Sequence, residues 1–220
     1  MWPFLSQNSE MKNHFLLSAA IAIPLQPSAW QSVSYDDIPS NKLSGNESYL
    51  EIIVEQSASP LVYKLDSQQK VHAITFTAEL EGKLSYGDLR PGEEGADDFP
   101  LRVGLVVAGD QKLNRFQKWL ASDWVLKLHD LAAEGEGIDH VLFLNLTSQK
   151  EPLYEKRVHP LSDLFHERII GKFDSGMTRI HHELEKPQQV LGLWISSDGD
   201  DTGSSYKVKI TDLNLMTQEE

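Results

Sequence analysis

Cysteine is absent from the 220 residues. That removes thiol catalysis, zinc ribbons, iron–sulfur ligation and a disulfide framework together. Cations are scarce: 20 Lys and Arg stand against 33 Asp and Glu, a formal charge of −13. A nucleic acid or an anionic membrane surface needs clustered Lys and Arg, and no basic run occurs here, so neither is an expected partner. Long hydrophobic stretches are missing as well. The apolar run at residues 15–23 falls well short of the roughly 20 residues that cross a bilayer, so no transmembrane segment is expected. Familiar catalytic signatures are also lacking. His182-Glu183 is followed by Leu184, Glu185 and Lys186, without the second histidine of a zinc-protease helix. There is no Gly-x-Ser-x-Gly elbow, no phosphate loop and no dinucleotide fingerprint. His181 and His182 are neighbours on an expected strand, so they face opposite ways and do not chelate one ion. What is present is a hydrophobic content of 40%, enough at this length for one core without staples.

The N-terminal stretch has the layout of a secretory leader. Lys12 and His14 precede the apolar run, Pro24 and Pro27 break any helix, and Ser28-Ala29 stands just before Trp30. This predicts a signal peptide over residues 1–29, cut after Ala29, with residues 1–10 read as a mis-assigned start. The alternative is a buried N-terminal strand or helix. A single domain over residues 30–220 follows, exported and cysteine-free in the manner of a Gram-negative periplasmic protein.

Most of that domain alternates with period two. Expected strands run over residues 49–55, 60–66, 71–80, 101–108, 141–146, 168–173, 177–184, 190–196 and 206–215. Turn signals separate them, among them Arg90-Pro91-Gly92, Lys186-Pro187 and Asp198-Gly199. Residues 101–108 are apolar enough to be packed on both faces. The fold class is therefore all-β, an antiparallel sandwich. One stretch departs from the pattern: apolar residues at Leu113, Phe116, Trp119, Leu120, Trp124, Leu128 and Leu131 fall at helical spacing. They predict a helical insertion around residues 111–133 that covers one face or end of the sandwich. Trp119 and Trp124 are then core, or one of them offers an indole face to a sugar ring. Residues 82–98 read as a long surface loop whose tip, Gly92-Glu93-Glu94-Gly95, lies outside the core.

Two acidic clusters carry the remaining chemistry. Asp97-Asp98 precedes one strand; Asp198-Gly199-Asp200-Asp201-Thr202-Gly203 joins two others. Asp198, Asp200, Asp201 and Thr202 gather oxygen ligands suited to Ca²⁺, although the rest of a calcium-hand loop is missing. The same loop reads equally as a solvated turn. A carboxylate pair for glycoside hydrolysis could also be drawn from these acids. If strand pairing brings the two clusters together, the acids form one site and Arg102 is expected to salt-bridge one of them; it follows Asp98 by four residues, so on a straight strand those two share a face.

These clusters also carry a resemblance. Residues 55–61 (Glu-Gln-Ser-Ala-Ser-Pro-Leu), Asp97-Asp98-Phe99-Pro100-Leu101-Arg102-Val103 and Ser197-Asp198-Gly199-Asp200-Asp201-Thr202-Gly203 resemble, in order and spacing, a family of exported Gram-negative bacterial proteins without an assigned activity. The resemblance spans residues 45–215 and implies a jelly-roll-like sandwich similar to carbohydrate-binding modules. The helical stretch at 111–133 departs from that pattern. The reading that follows is a non-catalytic periplasmic binding or accessory domain for a polysaccharide or glycan. Asp97, Asp98, Arg102, Trp119 and Trp124 are its candidate ligand residues, with Trp30, Tyr86 and Tyr154 as spare aromatics. The alternatives are a carbohydrate-active enzyme using clustered Asp residues, and a structural protein that contacts an envelope partner.

Overall fold

Residues 49–55 set the pattern of the molecule: Leu50, Ile52 and Val54 are buried, and the residues between them are half-exposed or exposed. Such alternation gives a strand one face for the core and one for water. The computed structural model describes residues 18–35, 37–110, 123–131, 137–148, 150–160, 162–173 and 176–218. Along the chain come β1 (Ser18–Ala22), β2 (Gln31–Ser32), β3 (Lys42–Asn46), β4 (Tyr49–Glu55), β5 (Leu61–Lys83) and β6 (Leu101–Gly109). Then follow α1 (Asp123–His129), β7 (Gly137–Ser148), β8 (Lys156–His159), β9 (Ser162–Phe173), β10 (Met177–Ser196) and β11 (Ser205–Gln218).

Hydrogen bonding joins the described strands in the order β3-β4-β11-β5-β10-β6-β7-β9-β8, with β1 on β11 and β2 on β5. All pairs are antiparallel except β7–β9. Two expected pairs of strands are each one long strand: residues 60–66 and 71–80 merge in β5, and 177–184 and 190–196 merge in β10. Lys186-Pro187 does not end β10. It falls in a break of the β5–β10 register between Glu183 and Gln188, where a bulge absorbs the proline that a regular ladder would reject.

These two long strands take part in two layers. The first half of β10 pairs only with β5 among the described strands, and its last seven residues pair with β6 as well. The second half of β5 pairs with β11, and its first residues pair with β2. Side chains from both sides of this bend form one core: Leu50, Ile52 and Val208 from the β4–β11 side meet Leu101, Val103 and Leu144 from the β6–β7 side. The arrangement is consistent with a β-sandwich. β6 is buried on both faces, because Val106 belongs to a second apolar cluster with Val62, Val141, Phe143 and Trp194. Leu128 of α1 and Leu131 just after it cap that outer face. Of the expected helical insertion, α1 is the described part; residues 111–122, with Trp119, lie outside the described residues, as does the side chain of Trp124.

Residues 18–25 stand inside the expected leader. β1 pairs with β11 from Ser18 opposite Gln218 to Ala22 opposite Asn214, the Ile23 amide donates to the Leu213 carbonyl at 2.9 Å, and Ile23 and Leu25 are buried in the main core.

Candidate functional site

Alternation along the strands builds two different sites on the two faces of one layer. On β9, Phe165 and Glu167 point outward with Phe143 and Asn145 of β7, and His166 and Arg168 point inward with His140 and Leu142.

The outward face carries a buried ion network. Glu167, whose side chain is fully covered, bonds Nη1 of Arg102 and Nε of Arg157. It also accepts from the Tyr154 hydroxyl at 2.8 Å and from Asn145 Nδ2 at 3.3 Å. Arg157 reaches back to both oxygens of Asp97 at 2.6 and 2.7 Å, and His159 Nε2 lies 3.0 Å from the same carboxylate. Arg102 Nε stands 2.9 Å from Asp198 Oδ2, but its N–H is not aimed at that oxygen, so the contact is an ion pair without a hydrogen bond. Arg102 also donates to the Asp97 carbonyl and lies over the Phe99 ring at 4.6 Å.

The two acidic clusters therefore meet. Thr202 donates to Asp98 Oδ2 from its amide at 2.8 Å and from its hydroxyl at 2.6 Å, and the Asp97 amide donates to Asp201 Oδ2 at 3.3 Å. Arg102 pairs with Asp97 and Asp198 of the two clusters and with Glu167, and not with Asp98, its neighbour on the expected strand face. The reason is that β6 begins at Leu101; Asp98 lies before the strand, where alternation does not govern its direction. The oxygens of Asp198, Asp201 and Thr202 contact Arg102, the Asp97 amide and Asp98 respectively. Among the described residues no group of three or more His, Asp or Glu is placed to hold a metal ion.

Charge balance in this network shifts its titration. Burial pushes Asp198 up, the Arg102 guanidinium opposes, and the carboxylates of Asp98, Asp200 and Asp97 add to the rise, to about 7. Burial also raises Asp98 against its Thr202 bonds. Glu167 goes the other way: burial is outweighed by Arg102, Arg157 and the Tyr154 hydroxyl, which hold it below the usual range. Asp97 is likewise held low, against burial, by His159, Arg102 and Arg157.

The spare aromatics are used internally. Trp30 is buried, donates from its indole to the Pro24 carbonyl at 2.8 Å and packs on Tyr63. Tyr86 is buried and donates to the Asp98 carbonyl at 3.0 Å. Tyr154 lies under the Arg157 guanidinium at 4.0 Å and covers Gly92. That glycine has φ +94°, and a Cβ on it would collide with the tyrosine ring. The loop tip is thus partly buried, contrary to its acidic sequence.

The inward face opens into a groove of about 600 Å³ between β7–β9–β8 and the first half of β10. Leu142, Val158 and Leu184 give it an apolar floor, and His140, His166 and His182 line it with Lys156, Arg168 and Lys186. The His140 and His166 rings stack at 4.3 Å. Arg168 Nη1 pairs with Glu185 Oε1 at 2.8 Å across the groove. Burial, with the charge of His140, lowers His166. Burial, then Arg168 and His181, lowers His182. No sequence motif marked this groove. The signal available was only the alternation of His166 and Arg168 with Phe165 and Glu167, and alternation names a face without saying what lies opposite it.

No protein-family model matches the chain, and no curated protein matches it. Among solved structures it is similar to a family 29 carbohydrate-binding module complexed with mannohexaose. The identity is 10% and the TM-score 0.38, over 92% of this chain and 94% of that one. A point variant of a family 29 module is similar at 10% identity and TM-score 0.38, over 91% and 93%. Likeness at that level transfers neither a ligand nor a site. No described helix is long and apolar enough to cross a membrane.

Proposed function

We propose that the chain is a non-catalytic binding domain whose inward groove takes a saccharide. The carrying observation is the groove itself, about 600 Å³ with an apolar floor and a rim of imidazole, guanidinium and ammonium groups. A sugar ring has the matching character, apolar C–H faces and a hydroxyl edge that needs oriented polar partners. The state of the acids supports binding over hydrolysis. A glycosidase needs two carboxyl groups facing an open cleft, whereas Asp97, Asp98, Glu167 and Asp198 are spent on arginines, a histidine, a tyrosine and a threonine. The ligand residues are then His140, His166 and His182, in place of Asp97, Asp98 and Arg102, which hold the loops that frame this layer. Native affinity electrophoresis against a panel of neutral and acidic polysaccharides tests the reading. Retardation on at least one polysaccharide is expected, with loss in His182→Ala. Migration unaffected by every polysaccharide overturns it.

A further inference from the structure

The groove lies in a chain of charge −13, yet its rim is cationic. Of the three acids on its lining, Glu167 is consumed on the other face by Arg102 and Arg157, and Asp139 pairs with His140 at 2.7 Å. That leaves Glu185 alone beside Arg168, whose hydrogen bond and charge, with Lys156 adding to them, hold its carboxyl below the usual range and so ionised. Lys156 and Lys186 make no ion pair among the described residues. Glu185 is a weak occupant. Its side chain is 69% exposed against 29% for Arg168, and exposed pairs of this kind contribute little because water competes for both partners. It sits on β10 within the bulge between Glu183 and Gln188, and Arg168 is fixed in the middle of β9 opposite Lys156.

Resting on the saccharide reading above, we propose that Arg168 and Lys156 form a carboxylate-binding end of the groove, that the ligand is a uronate-bearing oligosaccharide, and that Glu185 is an internal placeholder which the ligand's carboxylate displaces. A guanidinium presents a planar fork that matches a carboxylate in two parallel hydrogen bonds. In the free protein Glu185 satisfies part of that fork. In the complex the uronate takes its place, its ring lying on Leu142 and Val158 and its hydroxyls meeting the histidine rim. Release of an exposed glutamate to solvent costs little, so the exchange favours a ligand that brings both the charge and the ring.

Isothermal titration with tetragalacturonate, cellotetraose and sodium acetate, at fixed salt and pH, tests this on the intact chain. Tetragalacturonate is expected to bind more tightly than cellotetraose, and acetate at the same carboxylate concentration is not expected to compete. Arg168→Gln should weaken tetragalacturonate about tenfold or more, as expected for a lost charge-assisted pair, and weaken cellotetraose by a clearly smaller factor. Glu185→Gln should tighten tetragalacturonate several-fold, a sign that a purely structural role for the pair would not produce. If Arg168→Gln lowers the melting temperature, Lys156→Gln on the exposed edge strand replaces it, with a several-fold loss expected. Equal affinity for both oligosaccharides, or weaker tetragalacturonate binding in Glu185→Gln, overturns the uronate inference and leaves saccharide binding standing. Competition by acetate overturns it in favour of a bare anion site. Absence of binding by both oligosaccharides overturns the uronate inference, and the polysaccharide panel above then decides the saccharide reading.

Discussion

Glu167 is the residue on which the outward network turns. Its carboxylate receives two guanidiniums, a phenol and an amide while fully covered, so removing it leaves Arg102 and Arg157 partly unpaired in a low-dielectric site. Breaking a buried pair from one side costs about 3–5 kcal/mol, and Glu167→Ala is expected to lose that order of stability in urea denaturation. A loss under 1 kcal/mol would mean that the arginines find other partners. Asp198 gives a pH signature. Its folded value of about 7 lies above the ordinary 3.8, so between these values the folded state holds more protons than the unfolded. Its contribution is therefore fully present at low pH and lost as pH rises through about 7. Glu167 and Asp97, held low, contribute above their ordinary values, and that contribution fades as pH falls through their depressed ones. Melting temperatures of the wild type and Asp198→Asn from pH 5 to 8 isolate the first effect. The variant should gain on the wild type from pH 5 to about 7 and hold a steady offset above it, and a constant offset at every pH would refute the assignment.

At the scale of elements, β1 and the expected leader make opposite demands. A cut after Ala29 would remove β1, bare an edge of β11 and take Ile23 and Leu25 out of the core. Each buried aliphatic side chain is worth roughly 1.5–3 kcal/mol, offset in part by the entropy of ordering the segment. A chain starting at Trp30 is expected to melt several degrees below the full chain. N-terminal sequencing of protein recovered from the cell decides the matter alongside: a retained Ser18 fits the strand, and Trp30 in first place with an unchanged melt fits the leader. The apolar run at residues 15–23 reads alike as a leader and as a strand, because a short hydrophobic stretch has the same pattern whether its partner is a translocation channel or a sheet edge. The merging of residues 60–66 with 71–80 has a similar cause. Polar residues Ser67, Gln68 and Gln69 resemble a turn, but a long strand that leaves one layer for another exposes its middle, and polar side chains suit that stretch.

For the whole molecule, β5 and β10 matter most, because each runs through both layers. Neither layer can lose its order without unpairing strands of the other, so heat should produce a single transition in which calorimetric and van't Hoff enthalpies agree. Two resolved transitions would show that the layers fold independently. The same geometry explains why the groove exists. The first half of β10 pairs with β5 and not with β6, and so stands away from the β7–β9–β8 sheet with open space between them.

Chemistry that is local in the chain was determined by the sequence alone. Period-two alternation yields strands, absent cysteine excludes thiol chemistry, and helical spacing at Leu128 accords with the short helix α1. That the Asp97 and Asp198 clusters meet was legible only as a condition on how the strands pair. Tertiary structure decided which partner each acid received, since Arg157 comes from a strand 60 residues beyond Asp97, and Glu167 meets an Arg102 that lies 65 residues before it. It also decided that the groove is lined by His140, His166 and His182, because a strand's own pattern specifies which way a side chain points and carries no record of what another strand will place opposite it.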